Sequence, residues 1–235
     1  MTTIAVGTSG FSYKQWKGIF YPKDLPASAM LPFYAERFST VEINNTFYRM
    51  PREAALSKWP GQVPGGFTFV LKASQRITHM KRLKDAQGEI DYFFKNASAL
   101  GDRLGPVLFQ LPPFLRRDLP RLTDFLAMLP AGVRPAFEFR HETWFDDGVY
   151  AALRDRGAAL CFSDTDEETT PLVSTADWGY LRLRRCDYTE TDLAAWKERI
   201  LAQGWHEAYA FFKHEDEAAG PKLAAEFVSL VTRIV

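Results

Sequence analysis

Cysteine is nearly absent. The two present, Cys161 and Cys186 in 235 residues, are too few and wrongly spaced for a secreted disulfide framework or a cysteine-rich metal site, so both are expected as reduced thiols. No apolar run approaches the roughly 20 residues that cross a bilayer. The opening MTTIAVGTSG lacks the basic start and long apolar stretch of a secretory leader, so a soluble, cytoplasmic protein with no membrane partner is expected. An excess of charge is missing as well: 29 Lys+Arg balance 29 Asp+Glu. With no global field to gather a polyanion, any anion site must be local. Glycine and proline, 15 and 14 residues, are too sparse for a collagen-like or low-complexity chain. The G-x-G-x-x-G, Walker and G-x-S-x-G fingerprints are also lacking; GTSG at 7–10 reads as a tight turn whose amides could hold an anion.

What is present is a large apolar fraction, 46% hydrophobic and 14% aromatic, enough for a sizeable core. Short β-branched or aromatic runs recur at 4–8, 40–43, 67–72, 107–110, 134–139, 159–162, 180–183 and 207–212. Between most of them lie stretches with apolar residues at helical spacing, at 30–38, 92–100, 119–129, 149–156, 192–201 and 223–231. A β-then-α unit repeated eight times implies a parallel sheet, and this length suits a (β/α)8 TIM-like barrel, for which about 250 residues is typical. An open doubly wound sheet is the alternative, and it would want the phosphate turn that is missing. No linker or solenoid repeat divides the chain, so residues 1–235 are read as one domain. The stretches 12–29 and 163–177 are expected as long loops over the barrel mouth.

In such a barrel one strand parity faces the helices and is apolar, while the other faces the axis and can turn polar near the C-terminal mouth. VEIN sets Glu42 and Asn44 against Val41 and Ile43. FEFR sets Glu138 and Arg140 against Phe137 and Phe139, and YLRLR sets Arg182 and Arg184 against Leu181 and Leu183. Lys72 and Gln110 close their strands, Asp164 follows its run by two residues, and Lys213 follows the last directly. The N-terminal face shows no comparable set. Buried charges cost several kcal/mol each unless paired, so this cluster reads either as mutual ion pairs or as a site, and active sites of this fold lie at that end.

The motifs GTSGFSYKQWKGIFYP (7–22), VEINNTFYRMP (41–51), FTFVLKASQRITH (67–79), LFQLPP (108–113) and FEFRHETWF (137–145) together resemble the YecE-like family of proteins of unknown function. The resemblance runs in order along the whole chain and implies a TIM-related barrel. It supplies no activity. It singles out Trp16, Glu42, Asn44, Tyr48, Lys72, His79, Gln110, Glu138, Arg140, His141 and Trp144 as shared positions. This chain departs from the family pattern at LRLRRC, where many relatives carry a His-Gly pair, and at FKHEDEAAGPKLA, where others carry Asn; Arg184, Lys213 and His214 fall at those departures.

Several chemistries fit these residue types. Glu42, Glu138 and Asp164 face Lys72, Arg140, Arg182 and Lys213, a balanced or slightly positive mouth suited to an anionic or polyhydroxylated small molecule. Tyr13, Trp16, Tyr48 and Trp144 offer flat faces for a sugar or a base. Hydrolysis of a glycosidic or phosphoester bond is the leading reading, with Glu42 and Glu138 as the acid and base of an inverting pair and Lys72 as a third catalytic candidate. Arg140 and Arg182 would bind anionic groups, Asn44 and Gln110 would orient substrate, and Trp16 and Tyr48 would wall the pocket, with His79, His141, Trp144 and Lys213 also in contact. Lys72 could instead form a Schiff base, as in a lyase. No cofactor is expected; His79, His141 and His214 leave room for a divalent metal, although H-x-H and H-E-x-x-H spacings are missing. The rival reading is a non-catalytic protein that binds a metabolite or a nucleic acid.

Overall fold

Alternation along each strand divides its side chains between two environments, and both are filled. The structure, a computed structural model, describes residues 2–167, 169–185, 187–213 and 218–232. Strands β1 (Thr3–Thr8), β2 (Thr40–Ile43), β3 (Thr68–Lys72), β4 (Leu104–Gln110), β5 (Pro135–Glu138), β6 (Ala159–Asp164), β7 (Trp178–Leu183) and β8 (Glu207–Phe212) run parallel in the ring order β1-β8-β7-β6-β5-β4-β3-β2. This is the TIM-like (β/α)8 barrel expected from the alternation. Its lumen mixes small Ala5, Ala136 and Ala159 with large Tyr180, Tyr209 and Phe211, so inward residues interdigitate into a packed core. The opposite parity packs against the helices.

The outer layer comprises α1 (Met30–Ala35), α2 (Asn45–Tyr48), α3 (Glu53–Leu56), α4 (Gln87–Ala97), α5 (Leu119–Met128), α6 (Asp147–Arg156), α7 (Glu190–Leu201) and α8 (Ala219–Thr232). Local chemistry sets their ends. Asp118 accepts from the Arg121 amide at 3.1 Å to open α5, Thr189 and Asp192 cap α7 reciprocally, and Gly157 ends α6 at φ 64°, a left-handed conformation that suits glycine. None of the described helices is long and apolar enough to cross a membrane.

The structure differs from a strict eightfold repeat at two places. After β2 the chain forms only the short α2 and α3, and after β6 the described residues between 165 and 177 contain no helix. That stretch is rich in Thr, Ser and Asp, whose side chains compete for backbone groups. Thr175 Oγ1 accepts from Leu160 N and donates to Ala158 O, both at 2.8 Å. Trp205 covers the bare strands instead: it stacks on Phe162 and lies so close to Gly179 that a Cβ there would sit 2.2 Å from its ring.

The barrel closes unevenly. Between β1 and β2 there is no ladder, only a bridge of Ser9 with Glu42, in which Gly10 N donates to Glu42 O at 2.8 Å. The Tyr34 hydroxyl of α1 fills the seam, accepting from Thr8 N at 2.8 Å and donating to Thr40 O at 3.1 Å. Gly7 allows the approach, since a Cβ there would lie 2.1 Å from the Thr40 carbonyl oxygen. At the N-terminal face one ion pair is found, Arg134 with Glu207, and Arg134 also donates to Tyr209 OH at 2.8 Å; it is not comparable with the set at the mouth.

Candidate functional site

The last inward side chains of the strands meet as a connected polar layer below the C-terminal mouth. Arg182 of β7 stands between two carboxylates: Nη2 donates to Glu42 Oε1 at 2.8 Å and Nη1 to Glu138 Oε2 at 2.6 Å. Exposure of the three side chains is 2%, 0% and 1%. Glu42 also accepts from Tyr180 OH at 2.7 Å, Ser9 Oγ at 2.8 Å and Asn44 Nδ2 at 3.0 Å. Glu138 accepts from Gln110 Nε2 at 2.9 Å and from Arg184 Nη2 at 3.2 Å. Lys72 Nζ extends the network by donating to Gln110 Oε1 at 2.7 Å. Side chains of β2, β3, β4, β5 and β7 are thereby joined.

Burial and charge act in opposite directions here. Burial alone would raise the Glu42 carboxyl, but Arg182, Tyr180 and Ser9 outweigh it and hold it below the ordinary value. Arg182 is desolvated, yet the carboxylates of Glu42 and Glu138 hold its guanidinium firmly charged. Its Nε is buried without a hydrogen-bond partner. Lys72 responds the other way: burial, then the neighbouring Arg182, pushes its ammonium down to about 8 despite Glu42 and Glu138. Its Nζ lies 4.1 Å above the Phe47 ring. Burial also lowers His79, helped by the charges of Lys72 and Arg140, and Thr78 Oγ1 lies 2.9 Å from its Nδ1.

Of the residues expected in the site, Glu42, Asn44, Lys72, Gln110, Glu138 and Arg182 are brought together by these bonds. Exposed Arg140 joins Glu138, Arg184 and Ser163 around a cleft of about 460 Å3, with exposed Asp166 and Glu167 on its rim. Lys213 is exposed just beyond β8, where its backbone N–H donates to Leu183 O at 3.3 Å.

Other expected residues sit elsewhere. Trp16 is a core residue rather than a pocket wall, 4.8 Å from Tyr13 and 5.7 Å from Phe20 between ring centroids. Trp144 is likewise buried, stacked 4.8 Å from Phe139 and donating Nε1–H to Leu115 O at 2.7 Å. Both rings fill gaps that loops leave against the barrel. His141 caps a short turn, its Nδ1 accepting from Thr143 N at 3.2 Å. Asp164 points to the helix layer, held by Tyr188 OH at 2.7 Å, Thr169 Oγ1 at 2.7 Å and Trp196 Nε1 at 3.3 Å. It shares parity with outward Phe162, and Ser163 takes the inward place. Tyr48 is 72% exposed and lines a different cavity, with Arg49, Arg52 and Arg76.

Ser9 and Tyr180 join the site without a motif that marks them in the sequence. Parity carries the signal for both: Ser9 follows Gly7 by two residues, and Tyr180 precedes Arg182 by two. Among the described residues no group of three His, Cys, Asp or Glu stands together to hold a metal ion. His214 and Cys186 lie outside the described residues. Cys161 is a free thiol in the lumen, pushed well up by burial.

Comparison with known proteins gives a consistent result. The family described as "Protein of unknown function DUF72" matches residues 5–234. The chain is 30% identical over 155 residues to UPF0759 protein YecE of Escherichia coli strain K12, a match covering 66% of this chain and 54% of that protein. It is 27% identical over 138 residues to UPF0759 protein YunF of Bacillus subtilis strain 168, covering 55% and 49%. The matched stretches thus span about half the length of these relatives. Among solved structures, a DUF72 family protein of Thermotoga maritima superposes with a TM-score of 0.83 at 26% identity, over 97% of this chain and 99% of that one. One from Enterococcus faecalis gives 0.79 at 16% identity, over 100% and 99%, a likeness of fold.

Proposed function

The chain belongs to the DUF72 family of proteins of unknown function, and from that premise we propose that its barrel mouth binds a small anionic carbonyl compound, with the Lys72 amine as the reacting group. The environment of Lys72 carries the reading. An amine near pKa 8 is about one quarter unprotonated at pH 7.5, against about one part in a thousand for an ordinary lysine near 10.4. That uncharged amine can add to a carbonyl carbon; loss of water from the adduct leaves an imine, which draws electrons from the adjacent bond. Arg140 and Arg184 offer guanidiniums for a phosphate or carboxylate in the neighbouring cleft, whose lining also carries Glu138, Asp166 and Glu167 and does not include Lys72 itself.

Hydrolysis by Glu42 and Glu138 has less support. A two-carboxylate mechanism needs one partner to arrive protonated, whereas Glu42 is held below the usual range and the contacts named on Glu138 all come from donors. The buried Arg182 serves both carboxylates at once, a role in positioning the layer from which Lys72 projects.

The test is reductive trapping. Protein is incubated at pH 8 with pyruvate, glyoxylate or an aldehyde sugar phosphate, then with borohydride, and peptides are mapped by mass spectrometry. The expected result is one adduct, on Lys72, slowed by inorganic phosphate and lost in Lys72→Arg. Adducts spread over surface lysines, or none at Lys72 with any carbonyl, would overturn the amine chemistry and favour binding without turnover.

A further inference from the structure

Beside the mouth, but outside the polar layer, a second basic and aromatic cavity is built by the segments after β2 and β3 and the first turns of α4. Tyr48, Arg49 and Arg52 come from the first segment, Ser74 and Arg76 from the second, and Gly88, Glu89 and Tyr92 from α4, above a floor of Met50 and Phe93. Its volume is about 460 Å3, within the range of small-molecule sites, which runs from about 300 to 1,000 Å3. Tyr48 and Tyr92 expose 72% and 55% of their surface, unusual for large rings in a chain that buries most of its aromatics. All three arginines are exposed. Among the described residues no carboxylate lies within 4.0 Å of Arg49, Arg52 or Arg76, and the one acid on the wall, Glu89, is paired with Lys81 at 3.1 Å.

Three guanidiniums without acid partners within 4.0 Å are the kind of group whose planar forks match phosphate oxygens. Two exposed phenol rings give faces on which a flat heterocycle stacks. Arg52 and Tyr92 continue into an adjoining cavity of about 500 Å3 with Lys95, Ser57 and Asn96. The two cavities thus share Arg52 and Tyr92, and the second adds the cation Lys95 and the acid Glu53. We propose that this groove binds the nucleoside phosphate unit, the ring on Tyr48 or Tyr92 and the phosphate on Arg49, Arg52 and Arg76. Two sources carry this unit, a free nucleotide and a single strand. The assignment is independent of the chemistry proposed for Lys72.

Gly88 allows a steric test. A Cβ at this position meets no atom within 4 Å, so Gly88→Met projects into the cavity without altering its charge, and it replaces a poor helix former within α4. Binding of AMP, adenosine, inorganic phosphate and the oligonucleotide (dT)4 is measured by calorimetry at low and moderate salt. AMP is expected to bind at least tenfold more tightly than adenosine or phosphate alone. Arg52→Gln and Arg76→Gln should each weaken it fivefold or more, Gly88→Met should abolish it, and Lys72→Met should leave it unchanged. Unaltered melting temperatures establish that the variants are folded. Tighter binding of (dT)4 than of AMP identifies the strand as the source, and equal binding identifies the free nucleotide; both support the site. AMP binding that survives Gly88→Met but falls with Lys72→Met would move the ligand to the mouth and overturn the assignment. So would failure of both AMP and (dT)4 to bind at millimolar concentration.

Discussion

Arg182 donates to Glu42 at 2.8 Å across the barrel interior, joining strands seventh and second in the chain, with both side chains almost wholly shielded from water. Such a pair contributes little net stability when intact, because desolvation offsets its attraction, yet losing one member strands the other. Arg182→Met is therefore expected to destabilise the fold by about 3–5 kcal/mol in urea titration. Adding Glu42→Gln and Glu138→Gln should restore part of the loss. An unchanged midpoint for Arg182→Met would contradict the network.

The same pair sets an acid limit. Glu42 ionises more readily folded than unfolded, so its contribution is complete above the ordinary carboxylate range near pH 4.3 and drains away as pH falls through its lowered folded value. Stability curves of the native chain should steepen on the acid side, and Glu42→Gln should flatten that limb. Equal acid slopes in the two proteins would mean that Glu42 is not the titrating group.

Lys72 gives the opposite sign at the alkaline end. Its folded pKa of about 8 lies below the unfolded value, so the burial cost is fully present below pH 8 and is relieved as pH rises toward the unfolded pKa near 10.4. Lys72→Met should accordingly gain stability over the native chain at pH 7 and lose that advantage by pH 10.5. Competitive acetylation should show half-maximal reactivity of Lys72 near pH 8, well before exposed lysines. A Lys72 profile overlying theirs would remove the basis for its reactivity.

The Tyr34 phenol closes the seam alongside the Ser9–Glu42 bridge. Tyr34→Phe leaves Thr8 N and Thr40 O without the hydroxyl they share, a change expected to cost about 1–3 kcal/mol and to speed hydrogen exchange at the Thr8 amide. Gly7→Ala should be as damaging, because its Cβ would meet the Thr40 carbonyl at 2.1 Å. Slow Thr8 exchange in Tyr34→Phe would place the closure elsewhere.

Trp16 and Trp144 separate packing from recognition. Each is buried among aromatic rings, so Trp16→Ala or Trp144→Ala should cost about 3–5 kcal/mol of stability. At temperatures where the variants remain folded, carbonyl trapping at Lys72 should proceed at the native rate. Selective loss of trapping without loss of stability would return these rings to the pocket wall.

Strand parity made much of this legible in the sequence. Successive side chains of a strand point to opposite faces, so Glu42, Glu138 and Arg182 fall on the face opposite their apolar, helix-facing neighbours, the interior of the barrel. The convergence of both carboxylates on one guanidinium could not, since it depends on the barrel radius and on which rotamers span it. Asp164 illustrates a finer limit. Its polarity suggested the mouth, but its parity with Phe162 already pointed outward, and Tyr188 and Trp196 supply the partners that make an outward acid tolerable. Of the stretch 163–177 expected as a loop, Ser163 and Asp164 belong to β6 and the other described residues form no helix; their polar character contains no sign that Trp205, placed much later in the chain, covers the strands in place of a helix. Trp16 and Tyr48 looked alike as candidate platforms, and only packing separates a ring enclosed by Tyr13 and Phe20 from one left open to solvent.

Seven ladders and a seam make the barrel a split cylinder rather than a hoop. A split cylinder yields first along its slit, and here the slit runs past Ser9 and Glu42, so its upper lip is part of the charged layer. Opening the slit is therefore expected to loosen the mouth with it, and a ligand that braces the mouth is expected to slow amide exchange along β1.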